Sequence, residues 1–228
     1  MQLFPSTRFP RRWPARLAAV CALILPIAAC TGQNRGTRTM NDVTPPETAG
    51  TPLRKLNPAP RHPLRVRIRV DGAPGDFSSV RGTVQYDVVN AAQCGKRDAL
   101  SGAVPSITSN ETFELTRLSD TEFTGVVYAD RILDEDYYGR GVCRWELTEA
   151  RVALRAGGTE QDARFVAGIK GSQLAAGATA AKYYWGGYYP RAKQDGFADF
   201  GQKDLEQVPA DKRAEFFRIL ISATGDGA

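Results

Sequence analysis

Residues 64–70 read LRVRIRV, a strict two-residue alternation that puts Leu64, Val66, Ile68 and Val70 on one face and Arg65, Arg67 and Arg69 on the other. A period of two marks a half-buried strand, and its apolar face needs a second layer to cover it. The arginine side reads as the solvated outer face of an antiparallel sheet. Beyond the turn residues 71–75 (DGAPG), residues 80–89 alternate again, with Val84, Tyr86 and Val88 inward. Residues 113–118 and 123–129 flank a hairpin turn at 119–122 (SDTE). Residues 142–156 predict the longest strand. In it Cys143, Trp145 and Leu147 share one parity while Val152 and Leu154 share the other, so a bulge or bend is expected near 148–150. Further strands are expected at 163–167, 181–189 and 216–222, with a short helical turn at Pro209. Helical periodicity is otherwise weak. The fold class is therefore all-β, an antiparallel β-sandwich or open barrel with minor helical turns, and 64–228 reads as one domain.

Upstream of this domain the chain changes character twice. Arg8, Arg11, Arg12 and Arg16 precede an apolar run ending at Ala29, too short for the ~20 residues of a membrane-spanning helix. Residues 1–29 read as a signal peptide. The ending Ile27-Ala28-Ala29-Cys30 resembles the lipobox of bacterial lipoproteins. That resemblance implies a Cys30 that is acylated and becomes the first mature residue. Buried acyl chain contributes ~0.8 kcal/mol per methylene, so more than one chain makes a stable anchor. Thr31 stands where the family's inner-membrane retention signal carries aspartate, which implies the periplasmic face of the outer membrane. The competing readings are ordinary cleavage after Ala29, leaving a free thiol, and a twin-arginine signal at Arg11-Arg12, which lacks the apolar residues expected after the pair.

Residues 30–63 then read as the lipidated cysteine and a disordered tether, rich in Pro, Thr, Asn and Gly and poor in large apolar side chains. As a flexible coil it spans about 30 Å. Of the 30 basic residues in the chain, four lie in the leader and five in the tether (Arg35, Arg38, Arg54, Lys55 and Arg61), leaving 21 against 23 acidic residues in the domain. The net charge of +5 belongs to the segments before the domain, and it gives no support to nucleic-acid binding.

Four cysteines are present. With Cys21 cleaved away and Cys30 acylated, Cys94 and Cys143 remain, and in an oxidising periplasm they are expected to pair. Closing that loop of about 50 residues contributes ~4 kcal/mol in the chain-entropy picture. The single histidine, His62, lies in the tether, which removes Ser-His and Cys-His nucleophilic pairs and histidine-rich zinc sites from the domain. No phosphate loop or dinucleotide fingerprint appears. No catalytic residue, metal site or cofactor is assigned.

Two stretches stand out as binding surfaces. Asp134, Glu135 and Asp136 begin an acidic segment that starts like a calcium loop, but Trp145 occupies the position where a bidentate glutamate is needed. A carboxylate pair of glycosidase type has no further support, and an acidic surface loop is the simpler reading. Residues 182–190 (KYYWGGYYP) carry five aromatics. Strand parity sends Tyr183 and Trp185 one way and Tyr184 the other. The two glycines predict a bulge or close backbone approach that turns Tyr188 and Tyr189 outward beside Arg191 and Lys193. Tyr, Trp and Arg are the residue types that anchor protein interfaces.

The segments 133–145 (LDEDYYGRGVCRW) and 188–201 (YYPRAKQDGFADFG) are similar to stretches of proteobacterial envelope lipoproteins of immunity type. The resemblance implies a membrane-anchored periplasmic binding protein, an immunity or inhibitor lipoprotein that neutralises a secreted antibacterial toxin by contact and without catalysis. Asp134, Glu135, Asp136, Tyr188, Tyr189, Arg191 and Lys193 are the expected partner-facing residues. The alternative is a structural or assembly accessory of the envelope.

Overall fold

The computed structural model describes residues 52–224. The leader, Cys30 and the tether as far as residue 51 lie outside the described residues. Ten strands follow one another: β1 (Pro63–Asp71), β2 (Ser79–Val88), β3 (Thr108–Phe113), β4 (Leu115–Arg117), β5 (Glu122–Tyr128), β6 (Trp145–Arg155), β7 (Arg164–Lys170), β8 (Thr179–Trp185), β9 (Ala198–Asp199) and β10 (Phe216–Thr224). Two short helices, α1 (Ala91–Cys94) and α2 (Gly171–Ala175), and a few 3₁₀ turns complete the set, one of them at Ala210–Glu215 directly behind Pro209.

The strands form two five-stranded sheets, ordered β4-β5-β1-β10-β8 and β3-β2-β6-β7-β9. All neighbours are antiparallel except β9, which lies parallel to β7 over two positions. The LRVRIRV stretch is the central strand of the first sheet, flanked by β5 and β10. Its inward Val66, Ile68 and Val70 are buried against the inward faces of the second sheet, Val84 and Tyr86 of β2, Val152 and Leu154 of β6, and Phe165, Ala167 and Ile169 of β7. Its outward arginines meet partners on their own sheet: Arg67 pairs with Glu122, and Arg69 shares Asp71 with Arg218.

The parity switch in β6 has a local cause. Tyr86 faces Leu147 and Gln85 faces Glu149, so Thr148 is the extra residue of a β-bulge. Its hydroxyl donates to Asp87 on the outer face, and that carboxylate sits below its usual range because the donors Thr108, Thr148 and Gln85 outweigh the upward push of burial.

The two sheets are joined along both sides. On one, only Glu114 separates β3 from β4, so the chain turns a corner from the second sheet to the first. On the other, Gln202, just past β9, exchanges backbone hydrogen bonds of 2.9 and 2.7 Å with Tyr183 of β8. Two buried tyrosines span the core in opposite directions. The Tyr86 hydroxyl donates to the Tyr128 carbonyl at 2.6 Å, and the Tyr184 hydroxyl donates to the Val166 carbonyl at 2.7 Å. Burial pushes both phenols well above their ordinary value, so both stay neutral donors.

Residues 52–62 differ from the sequence expectation. The tether composition predicts disorder through Pro63, yet this last part lies against the domain. Leu56 bridges Ile132, the Asn57 amide donates to the Arg131 carbonyl at 2.8 Å, and the Leu133 amide donates to Lys55 at 3.0 Å. Backbone pairing needs no apolar periodicity, which is why composition does not announce it.

Candidate functional site

β1 sets the geometry of the candidate surfaces. At its first residue it faces Tyr128, which leads into the acidic loop; at its last it faces Arg218, next to the β8–β10 end where the aromatic run lies. The two surfaces are thus at opposite ends of the sandwich, separated by the nine residues of β1, about 27 Å of extended strand. They cannot form one continuous patch. We call the end that receives residues 52–62 proximal and the other distal.

The proximal end is bound up with itself. The disulfide Cys94–Cys143, with Cα atoms 5.2 Å apart, joins α1 to the segment leading into β6. Asp130 accepts the backbone amides of Arg61 at 2.8 Å and His62 at 3.0 Å. Its carboxyl lies below the usual range: partial burial pushes it up, but these amides hold it down. Asp134 accepts the Trp145 amide at 2.8 Å, and Glu135 pairs with Lys55 at 3.0 Å. Asp136 accepts the amides of Tyr138 and Arg140, which outweigh desolvation and lower its carboxyl. The Arg140 guanidinium reaches the Gly95 and Ala92 carbonyls. Asp134 and Asp136 therefore serve the loop's own folding, and Glu135 makes an exposed pair with the 52–62 segment.

At the distal end the aromatic run does not continue as a strand to residue 189. β8 stops at Trp185, and a 3₁₀ turn (Gly186–Tyr188) folds the chain back. Glycine is required at 187, where an added Cβ would stand 2.4 Å from the Trp185 ring. The predicted close backbone approach is present, but Tyr188 and Tyr189 are half-buried and not turned fully outward. Tyr189 packs edge-on against Phe77, with centroids 5.6 Å apart, and its hydroxyl donates to the Asp76 carbonyl at 2.7 Å. Tyr188 is held between Trp185 and Phe197, at 4.9 and 4.7 Å. Folding the rings inward covers the end of an aromatic core, Phe77, Phe165, Tyr184 and Phe217, that would otherwise face water. Of the predicted basic pair, Arg191 reaches Asp162 at 3.5 Å and Lys193 is exposed.

The open surface at this end draws on Tyr188 and on residues outside the expected set. A cleft of about 370 Å³ is lined by Tyr183, Trp185, Tyr188, Phe197, Phe216 and Asp199. Trp185 is 38% exposed and Phe200 62%. The Trp185 indole donates to Glu215 at 2.7 Å, the main reason that carboxyl lies below its ordinary value. Asp199 behaves oppositely. Burial raises its carboxyl, and one amide, from Gly201 at 2.8 Å, with the charge of Lys182, does not offset it. Sequence parity puts Tyr183 and Trp185 on one face and Tyr184 on the other, without saying which is inward, and Phe197, Asp199 and Phe216 reach the cleft through long-range pairing.

A cavity of about 570 Å³ also opens at the Glu114 corner, with Val84, Tyr86, Phe113 and Val127 among its lining. Two of the charges there are engaged within the chain: Glu111 binds Arg54 at 2.6 Å and Ser109 at 2.7 Å, and Arg131 donates to the Asn57 carbonyl. The chain matches no family model, no curated protein and no solved structure, so the site rests on its own geometry.

Proposed function

We propose that this chain is a lipid-anchored periplasmic binding protein, held by Cys30 at the outer membrane, that acts by contact, and that its partner is a secreted antibacterial toxin. The observation that carries the reading is the distal cleft. Trp185, Tyr188 and Phe197 line it, and Phe200 is exposed beside the cleft residue Asp199; together they supply large, stiff aromatic surface at low side-chain entropy cost, as interface anchors do. The cleft opens at the end away from residues 52–62, so a domain tethered by its N-terminal side presents it away from the tether. The acidic loop carries less of the proposal than the sequence assigns it, because its carboxylates already have partners in the chain.

The test is to purify the whole chain with a secreted hydrolase encoded beside it and measure the complex. A nanomolar affinity that falls at least about 100-fold in a Trp185→Ala, Phe200→Ala double variant, about 2.7 kcal/mol, is the expected result. No complex, or one indifferent to both substitutions, overturns the proposal. Recovery of resident envelope proteins alone favours the accessory role.

A further inference from the structure

Three arginines at the distal end of the second sheet are arranged differently from those of the first. At the distal end of its outer face Ser79 of β2 pairs with Arg155 of β6, and one step earlier on β6 Leu154 pairs with Phe165, the neighbour of Arg164 on β7. Arg81, Arg155 and Arg164 line a single pocket of about 240 Å³, together with the Ser79 and Thr83 hydroxyls. Its remaining lining is small or acidic: Ala153, Gly158 and Glu160. Among the described residues, Arg81 and Arg164 make no ion pair or side-chain hydrogen bond, in contrast to Arg67 and Arg69 on the first sheet.

Arg155 is the fixed member. Its side chain is 14% exposed, and it donates to the Thr159 carbonyl at 3.0 Å and to Glu160 at 3.1 Å. Glu160 is 86% exposed. Its carboxyl is lowered by the Arg155 hydrogen bond first and then by the charge of Arg155, with Arg81 and Arg164 adding to it. A solvated carboxylate on a packed guanidinium occupies the place that an incoming anion would take, and it can swing away at little packing cost. With Glu160 swung aside the three guanidiniums carry a formal charge of +3, which suits a phosphate monoester, whose charge is about −1.5 to −2 at neutral pH, better than a single carboxylate.

The geometry points to a phosphate-binding pocket formed by Arg81, Arg155 and Arg164, with Glu160 as its displaceable internal occupant. It is independent of the distal aromatic cleft and of the toxin reading. The phosphate can come from a lipid headgroup or from a soluble phosphorylated compound.

The test titrates the whole chain in detergent with inorganic phosphate, following the arginine side-chain NMR signals, and in parallel measures co-sedimentation of the Cys30→Ser chain, which lacks the acyl anchor, with phosphatidylcholine vesicles with and without phosphatidic acid. Saturable phosphate binding that weakens about tenfold in Arg81→Gln and in Arg164→Gln, and tightens several-fold in Glu160→Gln, is expected. Both arginines are exposed, so these variants keep the fold. Co-sedimentation that requires phosphatidic acid and is competed by inorganic phosphate assigns a lipid source; its absence alongside phosphate binding assigns a soluble one. No phosphate binding, binding unchanged in the arginine variants, or binding only of an oligoglutamate peptide overturns the proposal.

Discussion

The proximal and distal ends of the sandwich hold their loops by different means. At the proximal end a disulfide, the Asp130 and Asp136 carboxylates and the Arg140 guanidinium tie loop backbone to loop backbone. At the distal end Phe77, Phe165, Tyr184, Phe217 and Tyr189 pack ring against ring, and the outermost rings keep a face toward solvent. Polar ties consume the groups that make them, since a carboxylate accepting two amides has little left for a partner. Aromatic packing does not, because one face of Trp185 can serve the fold while another stays open.

The strongest way to break this comparison is to remove the disulfide. Cys94→Ser with Cys143→Ser, which frees a 49-residue separation, is expected to cost about 4 kcal/mol by urea unfolding. Native-state hydrogen exchange should show the loss first in α1 and the 130–143 loop. Equal loss of protection at Tyr184 and Phe217 would show that the ends are not separately secured.

A smaller test concerns acid. The Asp130 and Asp136 carboxyls lie below their unfolded values, so their stabilisation is complete above the ordinary carboxylate range and drains away as pH falls through the lowered folded values. Asp130→Ala should cost about 1–2 kcal/mol at pH 7 and nearly nothing near pH 2, read as the difference between two denaturation curves.

The smallest effect has the opposite sign. The Asp199 carboxyl is raised, so its favourable contribution is present below the unfolded value and lost as pH rises through the folded one. At pH 7, where the unfolded carboxyl is ionised, the raised folded value costs stability. Asp199→Asn keeps an acceptor for the Gly201 amide and should raise stability by less than about 1 kcal/mol at pH 7, with no gain at pH 3. A destabilised variant would mean the distal end also depends on a charged tie.

The strands were legible wherever the side-chain period was. Residues 64–70 show it in seven letters, and the parity change across Thr148 located the bulge. β3 escaped because its sequence, TSNETF, places Ser109 where an apolar residue would have marked the inward face. The ordering of residues 52–62 and the arrival of Phe197 and Asp199 beside Trp185 depend on backbone bonds between distant segments, which leave no local pattern. The separation of the two expected surfaces is likewise a property of topology: it follows from which end of β1 each loop meets.

The placement of β1 also decides how the domain bears force. A pull between the residues that precede Pro63 and a partner seated on the distal cleft runs along β1, loading its seven paired positions with β10 and seven with β5 in shear, all at once. The end of β10 lies beside the start of β1, with Thr224 facing Arg65, so tension between those two chain ends would instead unzip the same bonds one after another. A domain held from its N-terminal side and gripped at the far end is loaded in its mechanically strong direction.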